Sequence, residues 1–391
     1  MNRVAAAFAG LLSALAPIAL ASMVTATPAR ADITVGAVLS LTGPGASLGI
    51  PERNVIDMLP REIAGQKVRY VVLDDGTDST AAVRAFQKLV TEEKVDLVLG
   101  PSVTPTSLAV LDVAGSSGTP MISLAGSNAI IVPQEGNKRW AFKLASPESA
   151  MLAGPLQYLK DKGGKTIASI AQATAFGDAF VAAADSEAAK RGIKSLGVEK
   201  YNLTDTSVTP QVLKIMALRP DAVFIAGSGT PGALPVIELR NRGYKGLILH
   251  NQGVANPDFL RVAGKAADGI ILSASPVTVA EQLPDSADTK KPAMAYVKLY
   301  EGKFGANSRS LFGATAWDGY LLLAEAAPAA LKVAKPGTAE FRKALRDAME
   351  NLKNVNGAAG IYNMRPDDHN GTDERSLVLI TVKDGHWQLI K

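Results

Sequence analysis

Ala81-Ala82-Val83-Arg84-Ala85-Phe86-Gln87-Lys88-Leu89-Val90-Thr91-Glu92-Glu93, followed by Lys94-Val95-Asp96-Leu97-Val98-Leu99-Gly100-Pro101, sets the fold class of this chain. The first part is spaced for an amphipathic helix, with Val83, Phe86 and Val90 on one face. At Leu97 to Leu99 the pattern becomes a short buried strand, closed by Gly100-Pro101. Working outward, Ile33 to Leu39 and Val68 to Leu73 read as earlier strands, Leu108 to Ala114 as helix and Pro120 to Ser123 as strand. Strand–helix–strand alternation of this kind predicts right-handed βαβ units and a mainly parallel sheet.

The pattern then repeats. Ile130 to Phe142 contains Pro133 and Gly136, lacks a helical period, and is expected to cross from one lobe to another. Beyond it, helices at Ser149 to Lys162, Gly177 to Lys190, Pro210 to Met216, Leu234 to Arg242 and Asp258 to Ala263 alternate with strands. Those strands are Thr166 to Ile170, Ser195 to Lys200, Ala222 to Ala226, Leu247 to His250 and Gly269 to Ser273. Two successive doubly wound α/β sheets are the simplest interpretation. Pro276 to Pro292 is rich in turn formers, and helices follow at Ala293 to Phe304, Ala314 to Val333 and Thr338 to Asn351. The end differs in kind. Ile361 to Asn363, Ser376 to Val382 and Trp387 to Ile390 read as antiparallel strands, with Asp384-Gly385 as a hairpin turn.

The first residues address the compartment. Arg3, the apolar run Val4 to Leu20 and Ala29-Arg30-Ala31 form the layout of a secretory signal peptide over residues 1–31, with a mature chain starting near Asp32. The alternative, an N-terminal anchor, is disfavoured by Pro17 and the small residues before the A-x-A site. Arg3 and Arg30 are the only charged residues of the leader, so losing both takes the formal charge from +4 to +2. That balance, without a basic run, argues against nucleic acid as a partner. The chain has no cysteine, which excludes disulfides, thiolate metal sites, thiol nucleophiles and a lipidated N-terminal cysteine. The most apolar later stretch, Leu311 to Val333, contains Asp318, Glu325 and Lys332 and suits a buried helix.

Catalytic motifs are sparse. His250, His369 and His386 have no second ligand at helical metal spacing, and there is neither a P-loop nor a G-x-S-x-G elbow. Gly227-Ser228-Gly229 follows a strand, but no acidic residue closes the next strand to hold a ribose, so a tight turn into a helix is the better reading. Asp367-Asp368-His369-Asn370-Gly371 lacks the ligand alternation of a calcium loop and reads as a polar turn. No cofactor and no metal are expected. What recurs is small hydroxyl and glycine residues at strand carboxyl ends, as in Gly100-Pro101-Ser102-Val103-Thr104 and Ser123-Leu124-Ala125-Gly126-Ser127. Such places can gather N–H and O–H donors on an anion, although helix capping alone also explains any single one.

The chain resembles the branched-chain-amino-acid (leucine-binding-like) type of periplasmic solute-binding proteins of ABC transporters. The resemblance runs from Ile33-Thr34-Val35-Gly36 and Leu41-Thr42-Gly43-Pro44 through Asp74-Asp75-Gly76-Thr77-Asp78, Gly100-Pro101 with Thr104, and Ile122-Ser123 with Ala125 and Ser127. Phe176-Gly177, Asn256-Pro257-Asp258-Phe259, Trp317-Asp318-Gly319-Tyr320 and Asp384-Gly385-His386-Trp387 continue it. It implies the class I periplasmic-binding fold, two doubly wound lobes joined by three hinge crossings. The expected lobes are residues 32–142 with 276–353, and residues 143–275 with 354–391. It also implies a monomeric, periplasmic, non-enzymatic receptor that closes by its hinge on an amino acid or other small carboxylate and delivers it to inner-membrane permease subunits. A sensory receptor of the same fold is the alternative, and a secreted hydrolase is disfavoured by the missing catalytic constellation.

Carried onto this sequence, the resemblance implies that Thr104, Ser127 and the Ala125 N–H hold the ligand carboxylate. Leu48 would cover the ligand from the first loop and Phe176 from the second lobe, with Ser228 and Gln252 completing the wall. One departure matters: Ala226 to Leu234 contains no acidic residue for an amino acid's ammonium, and Glu238 lies a turn further on. A buried, unpaired ammonium is costly, so an aromatic or aliphatic acid becomes a candidate ligand, unless Asp318 or another acid substitutes.

Overall fold

Strand Ile33–Leu39 (β1) is buried along its whole length because helices cover both faces of its sheet, as expected of a central parallel strand. The computed structural model describes residues 32–390, so the expected leader and its cleavage site lie outside the described residues. In chain order the other strands of the first sheet are Glu62–Ile63 (β2), Gln66–Asp74 (β3), Leu97–Leu99 (β4), Met121–Ser123 (β5) and Ala141–Lys143 (β6). Their order is β2-β3-β1-β4-β5-β6, parallel throughout except for the short β2–β3 hairpin. The helix predicted next to β4 spans Ser79–Thr91. Its buried face is Ala82, Phe86 and Leu89, while Val83 and Val90 lie half-buried at the margins, so the apolar stripe is rotated by about one residue from the expected one.

The second sheet uses Thr166–Gln172 (β7), Lys194–Tyr201 (β8), Ala222–Ala226 (β9), Leu247–His250 (β10) and Ile271–Ala274 (β11), all parallel. After a small separate pair, Val355–Asn356 (β12) with Ile361–Tyr362 (β13), the strands Val378–Lys383 (β14) and His386–Leu389 (β15) join antiparallel to β11. The order is β15-β14-β11-β10-β9-β7-β8. The chain therefore passes between the sheets three times: after β6, after β11, and between the helix Ala339–Met349 and β14. Two parallel-sheet lobes result, and the helix Leu311–Val333 is buried against Ala46–Ile56 and Ala339–Met349 of the first. Among the described residues no helix is long and apolar enough to cross a membrane.

Three details depart from the sequence reading. Residues 130–142 are not a crossing segment: they hold 3-10 turns and then β6, the sixth strand of the first sheet. The boundary expected between Phe142 and Lys143 falls inside that strand. The stretch after β1 is not a loop but the helix Ala46–Ile56, which carries Leu48. Finally, residues 354–362 cling to the first lobe's long helix rather than to the second sheet. The buried Asp318 carboxylate accepts the Ala358 N–H at 2.6 Å, the Ala359 N–H at 2.8 Å and the Tyr362 hydroxyl at 2.9 Å, and burial pushes its pKa up to about 7.

The other crossings have polar pins of their own. At the first, the fully buried Lys143 ammonium donates to the carbonyls of Gly126 (3.2 Å), Ala145 and Ser146 (3.3 Å), and burial holds its pKa down to about 8. His369 stacks on Phe142 with centroids 4.0 Å apart, and Asn370 donates to the carbonyls of Lys143 and Ala145. The Asp367 to Gly371 string is thus a polar turn, as predicted, in which Asp368 accepts the N–H groups of Asn370 and Gly371.

Candidate functional site

The carboxyl ends of both sheets face one another across a cavity of about 220 Å³, room for a small molecule rather than a water or two. From the first lobe it is walled by Leu48, Ser102, Thr104, Leu124 and Ala125, which follow β1, β4 and β5. From the second come Gln172, which ends β7, and Phe176, Ser228 and Gln252, which follow β7, β9 and β10. Met151, Phe180, Leu311 and Phe312 add apolar surface, and Thr77, Thr174, Asn251 and Thr315 are the other polar residues of the wall. Among the described residues no Asp, Glu, Lys, Arg or His lines the cavity.

Six of the seven residues expected from sequence thus surround one space: Leu48, Thr104, Ala125, Phe176, Ser228 and Gln252. Ser127 is not among them. Its buried hydroxyl accepts the Ala129 N–H at 3.2 Å and caps the 3-10 turn Asn128–Ile130. Thr104 is the opposite case. It opens the helix Thr104–Ala109, but the capping position belongs to Val103, and the Thr104 hydroxyl is 1 % exposed without any hydrogen-bond partner. Of the two hydroxyls, Ser127 therefore caps a turn and Thr104 does not. The Ala125 N–H already donates to Ser123 Oγ at 3.2 Å, so any ligand would share it.

On the second-lobe side, Phe176 starts the helix Ala175–Lys190 and stacks tilted on Phe180, centroids 4.6 Å apart. Gly126 admits this ring: a Cβ there would lie 3.0 Å from Phe176 Cε2. Ser228 Oγ donates to Gln172 Oε1 at 3.2 Å, and Gln172 Nε2 returns a bond to the Ser228 carbonyl at 3.1 Å. Asn251 is committed to its own turn, accepting the Gly253 N–H at 2.7 Å. His250 behind it is fully buried, and burial lowers its pKa to about 4, so it stays neutral. The run Gly227 to Gly232 does have G-x-G-x-x-G spacing, but the outer glycines serve packing. Side chains at 227 and 232 would meet Tyr201 Oη and Val254 Cγ1, each at 2.8 Å.

Two buried acids behind the wall escaped the sequence reading. Glu52 accepts the Ser102 hydroxyl at 2.5 Å, and Asp75 accepts the Ser40 hydroxyl at 2.7 Å and the Thr77 N–H at 2.8 Å. Burial is the first cause that raises both pKa values, Glu52 well above the usual carboxylate range. Neither lines the cavity. The acids that could have substituted for the missing ammonium partner are elsewhere: Asp318 holds residues 358–362, and Glu238 is bound to Thr209 and Arg242.

The sequence profile described as periplasmic binding protein matches residues 32–386. The chain belongs to that family. An extracellular ligand-binding receptor from Rhodopseudomonas palustris is 41% identical and superposes with a TM-score of 0.89, over 93% of this chain and 100% of the other. The Leu/Ile/Val-binding protein BraC3 of Rhizobium johnstonii is 25% identical over 89% of this chain and 92% of its own. The leucine-binding protein LivK of Thermotoga maritima, 21% identical over 92% and 98% of the two chains, shares the fold with a TM-score of 0.79. The two lobes are those of a class I periplasmic binding protein.

Proposed function

We propose that this periplasmic binding protein is the receptor of an ABC importer, and that it closes on a small organic acid lacking an α-ammonium. The observation that carries this reading is the lining: among the described residues, a mainly apolar wall with one unpartnered buried hydroxyl, Thr104, and no carboxylate. An ammonium enclosed there would lose its hydration without gaining a counter-charge, which costs several kcal/mol. A carboxylate is better served. Thr104 Oγ1 can donate to it, and the N-terminal end of the helix Thr104–Ala109 adds a partial positive charge. The Lys143 ammonium lies one carbonyl behind Gly126 and Ala145, while the buried acids at Glu52 and Asp75 are shifted toward their neutral forms.

Leu48, Phe176 and Phe312 would enclose an aromatic or branched aliphatic body. Closure follows as a population shift, because only the closed arrangement brings both walls onto the ligand. The relatives named for leucine, isoleucine and valine make amino acids the competing ligand class. A thermal-shift panel of the twenty amino acids against phenyl- and alkyl-substituted acids tests the proposal. Stabilisation confined to the acids supports it, and stabilisation confined to amino acids overturns it.

A further inference from the structure

Ser47 and Leu48, in the first turn of the helix Ala46–Ile56, touch the Gly229–Thr230 turn of the second lobe directly. Ser47 Oγ accepts the Thr230 N–H at 3.3 Å, and a Cβ built on Gly229 would lie 2.9 Å from both Ser47 Oγ and Leu48 Cδ1. Gly229 also has φ +60° and ψ −161°, a conformation essentially restricted to glycine. We propose that this contact is a built-in latch that holds the lobes closed before any ligand enters, and that Gly229 is the residue that permits it. The latch rests on the closing receptor described above but not on the identity of its ligand.

Both halves of the latch are anchored within their own lobes. On the first-lobe side, Gly45 N–H donates to Thr77 Oγ1 at 3.0 Å, and that hydroxyl donates to the Thr42 carbonyl at 2.9 Å. On the other side, the Gly229 N–H donates to the Gly253 carbonyl at 2.8 Å, and Gln172 holds the Ser228 carbonyl. Two fixed surfaces therefore meet, rather than two loose loops. Leu48 belongs both to the latch and to the cavity wall, so the contact that closes the lobes also places the cover over the ligand. A latch of this kind sets the closed fraction of the free receptor, and the apparent affinity scales with that fraction.

The chain has no cysteine, so spin labels can be placed at will. Lys88→Cys and Ser186→Cys put one label on an exposed helical position of each lobe. Pulsed dipolar distances on the ligand-free protein should contain a closed population that falls about 3- to 10-fold with Ser47→Ala, the loss of one hydrogen bond. Gly229→Ala should lower it further, because the new Cβ would meet both Ser47 Oγ and Leu48 Cδ1 in a backbone conformation that alanine rarely adopts. A closed population absent from the ligand-free parent, or unchanged by Ser47→Ala or by Gly229→Ala, would overturn the latch. A failure here with acid ligands still stabilising the protein leaves the ligand proposal standing; binding of amino acids alone with an intact latch does the reverse.

Discussion

Replacing Thr104 by valine changes one hydroxyl for a methyl of nearly the same size, and under the proposed carboxylate contact this exchange should have opposite signs in the free and bound receptor. In the free protein Thr104 Oγ1 is buried and unpartnered, so its removal relieves a desolvated polar atom. Stability without ligand should stay level or rise by about 1 kcal/mol. In the proposed complex the same oxygen would donate to the ligand carboxylate. Hydrogen bonds to charged groups contribute about 1.5–3 kcal/mol, which at 1.36 kcal/mol per tenfold is a loss of roughly 10- to 150-fold in affinity. Urea unfolding of the free proteins and calorimetric titration with 3-phenylpropanoate or 4-methylpentanoate read the two effects separately. A Thr104→Val protein that is destabilised without ligand, or that binds the acid unchanged, would refute the reasoning, because the hydroxyl would then have a partner other than the ligand.

Ser127→Ala should leave acid affinity within about twofold, since its hydroxyl caps the Asn128–Ile130 turn outside the cavity; titration alongside Thr104→Val checks this. Asp318→Ala strands two N–H groups and the Tyr362 hydroxyl in the interior and should cost about 3–5 kcal/mol in urea unfolding. Lys143 supplies a pH signature. Its folded pKa is depressed to about 8, so the folded state binds fewer protons than the unfolded one above that pH, and stability should rise by up to about 1.4 kcal/mol per unit from pH 8 toward 10. Lys143→Met should flatten that rise, as read by urea midpoints at each pH.

The parts of the fold legible in sequence were those where burial and punctuation agree. Strands β1, β4, β9 and β10 are short apolar runs with turn residues beyond them, and their limits follow from the sequence alone. The helix Ala46–Ile56 was hidden because Gly45, Gly49 and Pro51 interrupt any helical signal. Tertiary contact fixes it instead: a Cβ at Gly49 would lie 2.2 Å from the Ser40 carbonyl oxygen, so the helix seats directly on the end of β1. With that helix unseen, Glu52 had no place beside Ser102. β6 was hidden by its three-residue length and by the Pro133 and Gly136 before it. Six of the residues that the resemblance implied line one cavity, because strand carboxyl ends converge in doubly wound sheets. Which of two hydroxyls faces the cavity is different: Thr104 and Ser127 look alike in sequence, and only the path of the backbone separates a cap from a free donor.

The absence of any carboxylate from the cavity wall, among the described residues, is the observation on which the ligand class turns. Calorimetry on matched pairs that differ only in the ammonium, phenylalanine against 3-phenylpropanoate and leucine against 4-methylpentanoate, addresses it most directly. The account predicts that the acid of at least one pair binds and that its amino acid is weaker by about 100-fold or more. Tighter binding of phenylalanine or leucine than of its deaminated partner would contradict it.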